Sequence, residues 1–100
     1  MVARIWHGKT KIEDYKEYTI LMKSKAIPDY EKTDGFKKLI FLRNIKDNIG
    51  HFTLITFWEN MEVIKNFAGD DFEKAKYYPE DSKFLIEFEE KVTHYEVFAD

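Results

Sequence analysis

The run His51-Phe52-Thr53-Leu54-Ile55-Thr56-Phe57-Trp58 is apolar on both of its faces. Side chains alternate along a strand, so Phe52, Leu54 and Trp58 point one way and Ile55 and Phe57 the other. The preceding run has the same character, with Phe36, Ile40 and Leu42 on one parity and Leu39 and Phe41 on the other. Sheets built of such strands need cover on each face. A chain of 100 residues holds material for two substantial helices, enough for one face. The simplest cover for the second is another copy of the same chain, so the sequence predicts a homodimer.

The other elements follow from spacing and punctuation. Val2 to Gly8 reads as a strand, with Ala3, Ile5 and His7 opposed to Val2, Arg4 and Trp6. Thr10-Lys11-Ile12-Glu13 has the spacing of a capping box, and Ile12, Tyr15, Tyr18, Met22 and Ala26 continue as a helical stripe. Pro28 predicts an end or a kink near Ile27. Asp34-Gly35 turns the chain into a second strand over residues 36–45, and residues 46–50 form a hairpin loop before a third strand over 51–59. Asn60 is a natural N-cap for a helix carrying Met61, Ile64, Phe67 and Ala68, closed by Gly69. Asp70-Asp71 predicts a short helical segment through about Tyr78, stopped by Pro79. Residues 80–90 read as one more helical turn and a connection, and 91–98 as the last strand. The order β-α-β-β-α-β predicts a single α+β domain over residues 1–100, ferredoxin-like, with both helices on one face of a four-stranded antiparallel sheet. First and third strands should lie in the middle, with the fourth beside the first.

Composition excludes several classes. Apolar residues make up 44% and aromatic residues 17%, ample for a core and enough rings to line an interface or pocket. The chain has no cysteine, which removes disulfides and thiolate chemistry. Net charge is −3 with the signs interspersed, so no nucleic-acid partner is expected. An RNA-recognition module shares the element order, but its third strand carries a basic residue and glycines among its aromatics, and both are missing here. No stretch approaches the roughly 20 apolar residues of a membrane span, and Arg4 interrupts the amino terminus where a signal peptide would be apolar. A cytoplasmic protein without a membrane partner is the expectation. The four glycines, at 8, 35, 50 and 69, are too dispersed for a dinucleotide-binding loop.

Three runs carry a family resemblance: Thr56-Phe57-Trp58-Glu59-Asn60-Met61-Glu62 through Phe67, then Tyr77-Tyr78-Pro79-Glu80-Asp81, and His94-Tyr95-Glu96-Val97. The chain resembles the antibiotic-biosynthesis-monooxygenase type of the dimeric α+β barrel superfamily across nearly its whole length. The resemblance implies two sheets paired face to face in a homodimeric barrel, and in each protomer a pocket between sheet and helices. Some members oxygenate polycyclic aromatic substrates there without metal or flavin, and related ones degrade haem. The haem degraders use an asparagine on the first strand, a tryptophan on the second helix and a histidine beyond it. Alignment on Thr56 to Trp58 puts His7, Phe67 and Tyr77 at those places, so haem degradation is not expected. The resemblance implies a cofactor-independent monooxygenase acting on a small aromatic or phenolic substrate, with no cofactor and no metal. The rival is a non-catalytic barrel that binds a small hydrophobic molecule as a sensor or stress protein.

Within that frame His7 is the candidate general base, because a neutral imidazole with a pKa of about 6.5 suits proton removal near neutral pH. It shares parity with Ala3 and Ile5, the side read as facing the helices. Tyr15, Tyr18, Phe67, Tyr77, Tyr78 and His94 are the candidate substrate-binding residues. The tyrosines offer phenols to a substrate oxygen or faces to its rings, and each has a plain alternative as core packing. His7, His51 and His94 could converge at one end of the sheet as metal ligands, but they lack ligand spacing. Arg43 could steady an oxyanion or form a surface ion pair. Trp58 reads as core, and Arg4 and Trp6 as facing away from the pocket.

Overall fold

The sheet is built around three long antiparallel strands: β1 (Val2–Lys11), β2 (Phe36–Lys46) and β3 (Ile49–Trp58). The computed structural model describes all residues, Met1–Asp100. Strand order is β2-β3-β1-β4, with β5 also paired to β1, which is the predicted arrangement. The β2–β3 hairpin closes on Asp47 and Asn48, with φ of 52° and 63°. A two-residue turn with both residues left-handed matches strand twist, and Asp and Asn tolerate that conformation best after glycine.

Alternation on β3 is strict: Gly50, Phe52, Leu54, Thr56 and Trp58 are buried and the residues between them are half-buried. Directly opposed residues share a face, so the register Arg4–Thr56, Trp6–Leu54, Gly8–Phe52 and Thr10–Gly50 puts Arg4 and Trp6 under the helices. Ala3, Ile5 and His7 point to the open face. This corrects the sequence expectation for β1, which had the two sides exchanged. The indole of Trp6 decides the matter: it lies over Gly8, where a Cβ would meet the ring at 2.4 Å. Phe36 also changes sides, because the register of β2 shifts between Phe36 and Lys38. It packs edge-on against Trp58, ring centroids 5.2 Å apart.

The capping box does not form. Strand β1 runs on through Lys11, and buried Thr10 donates its hydroxyl to the Lys11 carbonyl at 2.9 Å. A 3₁₀ turn (Ile12–Asp14), helix α1 (Tyr15–Leu21), a π-turn (Met22–Ala26) and helix α2 (Ile27–Glu31) follow one another. Pro28 therefore does not end the helical run. The Ile27 N–H reaches back five residues to the Met22 carbonyl, and Pro28 falls in the first turn of α2, where a missing N–H costs little. Tyr18, Met22, Ala26 and Tyr30 are the buried stripe.

Helix α3 (Met61–Ala68) begins as predicted, with the Asn60 side chain accepting from the Val63 N–H at 3.1 Å, and Gly69 ends it at φ 88°. No helix follows Asp70-Asp71. Residues 73–75 instead run beside 90–92, joined by Ala75 N–H to Glu90 O and Val92 N–H to Glu73 O, each 2.8 Å. Helix α4 (Asp81–Phe84) leads into β4 (Leu85–Glu87), so the last strand is divided: β4 pairs with Lys9–Thr10 and β5 (Thr93–Glu96) with Val2–Ile5. No helix is long and apolar enough to cross a membrane.

All helices lie on one face. The open face carries rows of opposed residues, Phe57–Ala3–Tyr95, Ile40–Ile55–Ile5 and Leu42–Thr53–His7, of which Ile40, Leu42 and Tyr95 are exposed by 36, 49 and 54%.

Candidate functional site

Between sheet and helices lies a nest of aromatic rings with a polar end. Tyr30 stacks on Phe67 at 4.5 Å, and both pack on Trp58. Tyr18 meets Phe52 edge-on at 5.0 Å, and Trp6 meets Phe41 and Tyr77. At the polar end stands Asp81, 1% exposed. It accepts from the Tyr18 hydroxyl at 3.0 Å and the Tyr78 N–H at 2.6 Å. A second carboxylate, Asp29, accepts from the Tyr78 hydroxyl at 2.7 Å and Lys76 at 2.9 Å.

The two carboxylates differ in character. Burial pushes the Asp81 carboxyl above its ordinary range, and the two hydrogen bonds only partly offset it. Burial alone would raise Asp29 too, but bonds from Tyr78 and Lys76, with the lysine charge, hold it below the ordinary range. Burial first, then the neighbouring carboxylate, pushes the phenols of Tyr18 and Tyr78 strongly upward. Tyr30 is pushed up to about 12, mainly by burial. One buried side-chain donor has no partner: the indole N–H of Trp6, directed toward the Tyr77 phenol but outside hydrogen-bond geometry.

Trp6, Tyr18, Tyr30, Tyr78 and Asp81 line an inner slit of about 10 Å³, room for one water at most. Met22 and Phe41 also line a larger outer cleft of about 160 Å³, which opens between the helices and β2 and includes Thr19, Lys23, Arg43 and Phe52. That volume matches a cavity known to hold one benzene ring. The two spaces meet across Met22 and Phe41.

The sequence-predicted residues divide accordingly. Tyr18, Phe67, Tyr77 and Tyr78 belong to the nest, and Tyr15 packs on Phe52 at its rim. His7 does not: its side chain is more than half exposed on the opposite face, with Nδ1 3.8 Å from a Glu89 oxygen. His94 shares the helix side with Arg4, 3.4 Å from its guanidinium. Burial, then the arginine charge, lowers its pKa. His51 opposes Lys9 on the open face, so His94 stands on the other side of the sheet from His7 and His51, and the three do not converge. Arg43 forms no ion pair. It donates to Thr19 Oγ1 at 2.8 Å and lies over the Tyr15 ring at 4.6 Å.

Asp81, Asp29, Lys76 and the Trp6 donor escaped the sequence reading. Asp81 closes the Tyr77-Tyr78-Pro79-Glu80-Asp81 run, whose signal was the pair of phenols rather than the acid after them. Arg4 is 2% exposed without a carboxylate partner, its charge met by the carbonyls of Phe72 at 2.7 Å and Lys74 at 3.3 Å.

No family model and no curated protein matches this chain. Among solved structures, the haem degrader MhuD of Mycobacterium tuberculosis, with two haems in its active site, superposes with a TM-score of 0.67 at 19% identity, covering 100% of this chain and 98% of that one. A protein of Methanosarcina mazei gives 0.63 at 20% identity, with 95% and 91% covered. A Bacillus cereus protein provisionally assigned as an antibiotic biosynthesis monooxygenase gives 0.53 at 19% identity, with 99% and 90% covered. At these identities the likeness speaks to the backbone, and in its strand order and helix placement the chain has the fold of the antibiotic biosynthesis monooxygenase-like proteins.

Proposed function

We propose that the protein is a homodimer whose protomers each hold a small phenolic or enolic aromatic molecule between sheet and helices, and that it oxygenates this molecule without a bound redox group. The carrying observation is a ring-lined slit whose walls include Asp81, a buried carboxylate of raised proton affinity, and Trp6, whose buried indole N–H has no partner. Tyr18 and Asp81 act together as proton acceptor: a substrate proton passes to the Tyr18 oxygen as its own passes to Asp81. The Trp6 N–H then donates to the substrate oxyanion in surroundings that exclude water. His7 has no part in this, since its face is the wrong one.

The electrons come from the substrate. A deprotonated anthrone-type carbon gives one electron to dioxygen, the radicals combine to a carbon–oxygen bond, and loss of water from the hydroperoxide leaves a carbonyl. A CH₂ and O₂ thus become C=O and H₂O, a four-electron oxidation of the carbon matched by reduction of both oxygen atoms. The protein contributes proton removal and stabilisation of the anion. The inner slit must open for this, and Met22 and Phe41 are the side chains that stand between it and the outer cleft.

The homodimer reading rests on the open face. Ile40, Leu42 and Tyr95, together with half-buried Ile5, Ile55 and Phe57, form one apolar surface across four strands. Soluble monomers rarely expose such surface continuously.

The test is oxygen uptake under air with anthrone-type phenols and with single-ring phenols that carry a benzylic CH₂. Wild type is expected to consume oxygen, Asp81→Asn to lose at least tenfold in rate, and His7→Ala to match wild type. A fully active Asp81→Asn would refute the proton route. Ligand binding without oxygen uptake would leave a binding barrel, and a saturable haem complex with loss of haem absorbance would replace the phenolic reading.

A further inference from the structure

The outer cleft has an apolar floor and two cations at its rim. Phe41, Phe52 and Met22 line the floor, while Arg43 comes from β2 and Lys23 from the π-turn across the opening. Neither cation has a carboxylate within ion-pair distance, so both charges are available to a ligand. Arg43 is also held in place: it donates to Thr19 Oγ1 and its guanidinium lies over the Tyr15 ring. Most of its five N–H donors remain free. A fixed, unpaired guanidinium beside a ring-sized apolar space suits a planar anion joined to an aromatic body.

We infer that this cleft binds a single-ring aromatic carboxylate, its ring against Phe41 and Phe52 and its carboxylate on Arg43 and Lys23. This specifies the substrate class of the phenolic reading above and rests on it for the chemistry, which needs an oxidisable benzylic CH₂ on the ring, but not for the binding. A ring so placed is separated from the inner slit only by Met22 and Phe41. The carboxylate would remain at the rim while the ring end approaches Asp81.

The test compares 4-hydroxybenzoate with 4-hydroxybenzyl alcohol, which share a phenol and differ in charge, by amide NMR titration of the whole protein. The acid is expected to bind about tenfold more tightly, with shifts concentrated at Thr19, Phe41, Arg43 and Phe52. That preference should vanish in a Lys23→Gln/Arg43→Gln variant. Because Arg43 also packs on Tyr15, Lys23→Gln alone is the second arm, and it should lower the acid's affinity severalfold while leaving the alcohol unchanged. Equal binding of the two ligands, binding of neither, or a preference that survives both variants would overturn the inference. Turnover of neutral phenols with no advantage for the acid would sink this inference and leave the oxygenase reading standing. Selective acid binding without oxygen uptake would do the reverse.

Discussion

Replacing Asp81 in two ways separates its structural role from its charge. Alanine removes the only acceptor of the buried Tyr18 hydroxyl and that of the part-buried Tyr78 N–H. A stranded buried donor costs about 1–3 kcal/mol, and a partly wet one sits at the low end, so the loss is about 2–4 kcal/mol. For a chain of this size that is a Tm lower by roughly 10–30 °C. Asparagine restores one of the two acceptors: its oxygen accepts from the Tyr78 N–H and its amide donates to the Tyr18 oxygen, while the Tyr18 O–H is left without an acceptor and no charge is buried. It is expected to cost about 1–3 kcal/mol at pH 7, less than alanine. The pH dependence has a definite sign. Folding raises the Asp81 pKa above 3.8, so the folded state holds its proton more tightly. The stability Asp81 contributes is thus full below pH 3.8 and is lost as pH rises through the folded value. Asp81→Asn should therefore gain on wild type across that rise. Urea melts of the three proteins at pH 4 and pH 7 measure this. An alanine variant within about 1 kcal/mol of wild type, or an asparagine variant as unstable as alanine, would refute the reasoning.

Leu42→Asp should dissociate the dimer at micromolar concentration in sedimentation velocity while the circular dichroism stays native; a wild type that sediments as a monomer would defeat the homodimer reading. Gly8→Ala forces a methyl into the Trp6 indole and should cost about 1–3 kcal/mol by thermal melt. Asp29 behaves oppositely to Asp81: its pKa is lowered, so its contribution is present above 3.8 and lost as pH falls through the folded value, and Asp29→Asn should flatten the acid limb of the stability profile. Trp58→Asp puts an unpaired charge at a fully buried site and should prevent folding, or cost more than about 4 kcal/mol in a melt.

What the sequence disclosed was whatever local chemistry decides. The order of the main elements, the Asn60 cap, the stop at Gly69 and a hairpin within residues 46–50 all follow from residues within a few positions of one another. The hairpin connection is a two-residue turn at Asp47-Asn48 rather than a five-residue loop. The sidedness of β1 was hidden because both parities carry apolar residues, and Arg4, read as facing away from the pocket toward the barrel interior or interface, lies under the helices. Its burial depends on carbonyls of residues 72 and 74, about 70 positions away, and irregular backbone leaves no periodic trace. Phe36 was misplaced for a similar reason, since a bulge resets alternation without a glycine or proline to announce it. The catalytic reading moved from His7 to Asp81 because an imidazole advertises its chemistry by residue type. A carboxylate acquires such chemistry only from its surroundings.

The outer rim of β2 bears on colloidal behaviour. That strand pairs on one side only, with β3, and so offers a bare row of peptide groups to any passing extended chain. Lys37, Lys38, Arg43 and Lys46 stand exposed along it, and its bulge bends the template. Repelling cations and a crooked ladder oppose fibril-like propagation by strand addition, so the proposed homodimer, formed through the broad side of the molecule, would be closed and finite.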